Sequence, residues 1–166
     1  SMDWHLILVV DVSGSMEPSV IYSAMMSAIF SGLPCLSVEF LAFNTRVIDF
    51  SQRVSDPLGL LMEIDIGGGT HIAKALRAAR QKLKNPSQSM VVLITDFEEG
   101  GSVADFISEV RLLAETGTKM LGVAALNDTG QPRYHKLIAQ QVVNAGMPVS
   151  ALTPLELARW VGEQIR

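Results

Sequence analysis

Residues 5–11 are an almost unbroken apolar run closed by Asp11. A strand that is apolar on both faces is the mark of a central parallel strand with helices above and below it. Residues 89–96 repeat the pattern and end in Asp96, residues 119–126 give a further buried run, and residues 148–152 a short last one. Residues 36–43 alternate in part between apolar and polar, and the Asn44-Thr45 turn leads into residues 46–50. That pair reads as a strand with an antiparallel edge neighbour.

Between the strands the apolar period lengthens to that of a helix. After Pro18, Ile21, Met25, Ala28 and Gly32 recur on one face, which predicts an amphipathic helix. Asp56-Pro57 opens a shorter helical piece to about residue 63, and Gly67-Gly68-Gly69 then breaks regular structure and delivers Thr70 to the next helix start. In that helix Ile72, Ala75, Leu76, Ala79 and Leu83 share one face, while Lys74, Arg77, Gln81 and Lys84 share the opposite one, read as solvated. Ser102 and Asp105 are spaced to cap a helix running to Gly117, residues 134–145 predict another, and Thr153-Pro154-Leu155-Glu156 caps the last.

Parallel strands need crossover connections, and crossover helices must cover both faces of the sheet. The alternation therefore predicts a three-layer, doubly wound (Rossmann-like) α/β domain, with a mostly parallel central sheet and one short antiparallel edge strand. Ligands of such folds bind outside the carboxyl ends of the strands. Two strands deliver aspartates to that edge.

Composition narrows the picture. At 166 residues the chain is one domain, able to bury roughly 70% of its unfolded surface. With 48% hydrophobic and 18% charged residues it is too rich in core-formers for a disordered segment. Its 17 acidic against 13 basic residues give a net charge of −4, so no broad cationic surface is available and nucleic acid is not an expected partner. Cys35 has no second cysteine to pair with and sits in an apolar stretch, where a thiol behaves as a small hydrophobe. A reducing, cytoplasmic setting is the expectation. No apolar run approaches the roughly 20 residues of a membrane span. Ser1 ahead of Met2 reads as a remnant of tag removal, with residues 3–166 a single domain cut from a longer protein.

The chemistry gathers at the aspartates. In Asp11-Val12-Ser13-Gly14-Ser15 a carboxylate and two hydroxyls alternate along a turn that Gly14 keeps tight. Thr70, placed by the glycine run, and Asp96 bring the set to five oxygen-bearing groups at one edge. Oxygen donors without Cys or His suit magnesium, with manganese as the alternative, rather than zinc. Incomplete neutralisation of a divalent ion leaves a position for an incoming carboxylate, which is docking chemistry.

Asp11-x-Ser13-x-Ser15, Thr70, and Asp96 after an apolar strand resemble the metal-ion-dependent adhesion site (MIDAS) of von Willebrand factor A (VWA) domains, and the likeness extends over essentially the whole chain. The resemblance implies that Ser13, Ser15 and Thr70 contact Mg directly or nearly so, that Asp11 and Asp96 bond partly through water, and that a partner's Asp or Glu completes the shell. Asp-Val-Ser-Gly-Ser-Met, Gly-Gly-Gly-Thr-x-Ile, Thr-Asp-Phe-x-Glu-Gly and the closing Glu-Leu-Ala-Arg-Trp-Val-Gly are similar to the bacterial CoxE-like branch, whose members work beside MoxR-type AAA+ ATPases. An adaptor for such an ATPase is thus the implied role. Two departures alter the rim: many relatives have Asp where His71 stands, and Gly is common where Phe97 stands.

Plainer readings compete. Asp11, Ser13 and Ser15 suit a helix cap, Thr70 an N-cap and Asp96 a strand-end turn. Glu98 and Glu99 are either an acidic rim to the site or solvated loop acids. His71 reads as a helix-surface or capping side chain, and His5 and His135 show no partner pattern. An enzyme is the rival class: a magnesium-dependent phosphohydrolase needs an acidic residue two positions after its nucleophilic Asp, where this chain has Ser13. Gly-x-Ser-x-Gly and phosphate-binding glycine loops are absent as well. A metal-free structural interaction module is the remaining alternative. The expectation is a non-enzymatic, metal-dependent protein-interaction domain.

Overall fold

The computed structural model describes residues 3–16, 26, 30, 32–53, 56, 59, 62–63, 67–124 and 131–166. Among these, six strands form one sheet: β1 (Trp4–Asp11), β2 (Leu36–Phe43), β3 (Val47–Asp49), β4 (Ser89–Ile94), β5 (Lys119–Ala124) and β6 (Val149–Ala151). Their order is β3-β2-β1-β4-β5-β6, parallel throughout except for β3, which pairs antiparallel with the end of β2. The chain is a doubly wound α/β domain with a short antiparallel edge strand, as the apolar pattern predicts.

The central position of β1 explains its composition. Side chains alternate across a strand, so Ile7 and Val9 enter one core while Leu6, Leu8 and Val10 enter the other, all fully buried. The first core is closed by α1 (Ile72–Lys82), α2 (Val103–Glu115) and α3 (Lys136–Asn144), the second by Leu157 and Val161 of α4 (Pro154–Gln164). Met26 and Phe30, one helical turn apart, are helical and fully buried in the second core. The rest of the helix predicted after Pro18 lies outside the described residues, as does most of the piece after Asp56 and the end of the run predicted to residue 126.

Several local readings are corrected by packing. The helix after the glycine run begins at Ile72 with His71 at the N-cap and no side-chain cap bond, so Thr70 precedes the cap instead of forming it. Arg77 is not simply solvated: its Nε donates to Glu109 Oε1 at 3.0 Å, and Arg80 Nε donates to Glu109 Oε2 at 3.0 Å, joining α1 to α2. Cys35 is exposed, in a left-handed turn (φ 63°) where its carbonyl accepts Trp4 N–H. Both other histidines find partners, His5 at Glu39 and His135 as the N-cap of α3, its Nδ1 accepting Ile138 N–H. The cap of α2 at Ser102 and the two-way capping box of Thr153 and Glu156 form as the spacing predicts.

Candidate metal centre

Asp11 ends β1 at the carboxyl edge of the sheet and is fully buried. Its Oδ1 accepts Ser13 N–H at 2.8 Å and its Oδ2 accepts the Thr95 hydroxyl at 2.7 Å. Burial pushes the Asp11 carboxyl above its ordinary value, against the opposing hydrogen bonds of Ser13 and Thr95, and the nearby charge of Asp96 adds to the rise. Ser13 is 4% exposed, and its hydroxyl oxygen finds no hydrogen-bond partner among the described residues. Gly14–Met16 make a single 3₁₀ turn; Ser15 lies in it, its side chain outside the described part of the structure.

Asp96 stands two residues beyond β4, almost buried, with Oδ1 accepting Glu98 N–H and its carbonyl accepting His135 N–H. Thr95, fully buried just before it, serves two groups with one hydroxyl: it donates to Asp11 and accepts Phe97 N–H at 3.2 Å. Sequence reasoning passes over Thr95, although a lone hydroxyl closing an apolar run was the available signal.

Thr70 arrives at the same edge through a separate loop. Gly67 and Gly68 take left-handed φ of 144° and 79°, conformations costly to any side chain. Gly67 N–H bonds the Val12 carbonyl, and Asn44, at the end of β2, holds both Gly67 O and His71 N–H. The Thr70 carbonyl then accepts Gly100 N–H at 2.9 Å, which ties Thr70 to the loop after Asp96. The fold thus gathers Asp11, Ser13, Asp96 and Thr70 on one edge, from the end of β1 and its loop, the loop after β4 and the glycine loop.

The flanking residues divide. Phe97 is not at the rim: its ring is fully buried, edge-on to Tyr134, and its φ of 64° is left-handed. A position with that backbone favours glycine, and here the strain is carried by a residue whose ring fills the core. Glu98 and His71 are exposed. Glu99 has a structural role, accepting Ile72 N–H and Ala73 N–H at the open start of α1 at 3.1 and 2.9 Å.

No cluster of three or more His, Cys, Asp or Glu placed to hold a metal occurs among the described residues. The donor set at this edge is two carboxylates with hydroxyls. It fits a hard divalent cation: an oxygen-rich edge whose buried Ser13 hydroxyl makes no well-aligned hydrogen bond among the described residues matches what magnesium or manganese prefers.

The sequence profile of one family, VWA domain containing CoxE-like protein, matches residues 1–161. The uncharacterized protein YehP of Escherichia coli (strain K12) is 43% identical over 166 residues, all of this chain and 44% of that protein. The chain therefore spans less than half the length of that relative. Among solved structures, an aerotolerance-related membrane protein from Bacteroides fragilis aligns with a TM-score of 0.73, and the conserved hypothetical protein BatB from Bacteroides thetaiotaomicron with 0.70, each at 16% identity over 98% of both chains. A von Willebrand factor type A structure from Catenulispora acidiphila aligns with 0.69 at 15% identity, over 98% of this chain and 42% of that one. At such identities the structural likeness speaks for the fold alone.

Proposed function

The chain belongs to the family of VWA domain containing CoxE-like proteins, and from that premise we propose that it is a metal-dependent protein-interaction module. Asp11, Ser13, Ser15, Thr70 and Asp96 hold Mg, with Mn as the alternative, and an acidic side chain of a protein partner completes the shell. When bound, the ion supplies a Lewis-acid position for that carboxylate. The residues do the rest. Thr95 and the Ser13 amide fix both oxygens of Asp11, and the glycine loop presents Thr70.

The observation that carries this reading is the buried Ser13 hydroxyl oxygen beside Asp11. That hydroxyl lies against the Asp11 carboxylate and favours its charged form, yet makes no well-aligned hydrogen bond among the described residues, and a buried polar atom so placed calls for an explanation. A cation supplies one, and does so next to a carboxylate whose ionised form burial otherwise disfavours. The helix-cap alternative leaves that hydroxyl unexplained.

Calorimetric titration of MgCl2 tests the reading. The parent should bind one ion weakly, since no partner carboxylate completes the shell, and Asp11→Ala should bind none. Equal affinity in the two proteins would overturn it. The partner suggested by the family resemblance is a MoxR-type AAA+ ATPase in the cytoplasm. Capture of such a purified ATPase should require Mg and should be lost in Thr70→Ala, whose melting curve stays close to the parent's because the fold uses the Thr70 carbonyl, which Ala keeps.

A further inference from the structure

The helix that follows Thr70 starts without a cap of its own. Its N-cap residue, His71, makes no side-chain bond to the first turn, and the first amides of a helix need acceptors from somewhere. They come from the other wall of the site. Glu99, three residues beyond Asp96, places Oε1 3.1 Å from Ile72 N and Oε2 2.9 Å from Ala73 N, and Oε1 also accepts Gly101 N–H at 3.1 Å. A carboxylate at a helix N-terminus gains from the helix dipole as well.

The backbone closes the same junction. Gly100 N–H donates to the Thr70 carbonyl at 2.9 Å, and a Cβ on Gly100 would stand 2.8 Å from that oxygen, so the two segments meet with no room for a side chain. A Cβ on Gly101 would stand 2.7 Å from the His71 ring. Residues 99–101 and 70–73 therefore share three hydrogen bonds and two close approaches, in a junction that joins the segment beginning at Thr70 to the loop after Asp96.

We propose that Glu99 is a positioning residue for the metal centre: it locks the Thr70 segment to the Asp96 loop and so sets the affinity for the ion without touching it. This inference rests on the metal reading above and goes beyond it in making metal affinity depend on a residue outside the donor set. It also means that the anion-binding end of α1 is already filled by the chain's own carboxylate, so an incoming partner acid is left the cation as its site.

The experiment pairs MgCl2 titration with amide hydrogen exchange on the metal-free protein. Glu99→Ala should bind Mg at least tenfold more weakly than the parent, and should speed exchange at Ile72, Ala73, Gly100 and Gly101 together. Glu99→Gln, which retains acceptor capacity, should recover part of the affinity. Ser102→Ala, which removes the cap of α2 nearby, should lower the melting temperature while leaving Mg affinity unchanged, which separates positioning from general loosening. If Glu99→Ala does not fold, Gly100→Ala provides the second route: its Cβ must push the Thr70 carbonyl away, and Mg binding should weaken while Glu99 remains. Unchanged Mg affinity in folded Glu99→Ala, or faster exchange confined to Ile72 and Ala73, would overturn the proposal and leave Glu99 an ordinary helix cap. A parent that binds no Mg would overturn the metal reading instead, and the exchange pattern would then still decide whether Glu99 joins the two segments.

Discussion

Thr95 shows how much a single hydroxyl carries at this edge. It donates to Asp11 Oδ2 and accepts Phe97 N–H, and so holds both a proposed ligand and a residue with left-handed backbone. Thr95→Val keeps the shape and leaves a buried carboxylate oxygen and a buried amide unsatisfied. The expected loss is about 1–3 kcal/mol in urea unfolding, with weaker Mg binding alongside. An unchanged urea midpoint would show that Thr95 is dispensable to the edge. Phe97 makes the complementary point: its ring lies against Gly122, where a Cβ would come within 2.9 Å of the ring, so a residue with left-handed backbone seats its ring in space that a glycine leaves.

At the scale of elements, the seam between α1 and α2 turns on Glu109. Its side chain is only 5% exposed, while Arg77 is half exposed. Burial alone would raise the Glu109 carboxyl, but the hydrogen bonds and charges of Arg80 and Arg77 outweigh it and hold the carboxyl below its ordinary value of 4.5. A carboxyl with a depressed folded value contributes stability that is present above its unfolded value and lost as pH falls through the folded one. At neutral pH Glu109→Gln should be less stable by about 1–3 kcal/mol. That is less than the loss of a fully buried pair, because Arg77 is half solvated and Gln keeps a hydrogen bond. As pH falls below 4.5 the gap between parent and variant should narrow, read from urea midpoints at successive pH values. A gap constant with pH would show that the ion pairs contribute nothing to the seam.

For the whole molecule, the doubly wound topology sets the edge at which the candidate site lies. The strand order reverses direction of growth at β1 and β4, and the two aspartates stand at the end of the first and just beyond the second. With Ser13 two positions after Asp11 and both Asp11 oxygens already engaged, no acid and nucleophile pair is arranged at the proposed metal site among the described residues. The isolated domain should therefore release no phosphate from ATP or p-nitrophenyl phosphate in Mg. Steady release abolished by Asp96→Ala would establish an enzyme. No helix among the described residues is long and apolar enough to cross a membrane.

Strand and helix alternation, the antiparallel edge pair and the caps at Ser102 and Thr153 were legible in the chain, because period, capping chemistry and turn residues are local properties. The placement of Asp11, Ser13 and Asp96 at the carboxyl edge of the sheet was legible for a related reason: they close or follow apolar runs that read as buried strands. Tertiary structure alone decided who meets whom. Arg77 looks solvated until Glu109 arrives from 32 positions away, Cys35 looks apolar until the turn exposes it, and Glu99 looks like a loop acid until α1 presents two open amides. Those pairings depend on the packing of separate elements, which no local pattern encodes.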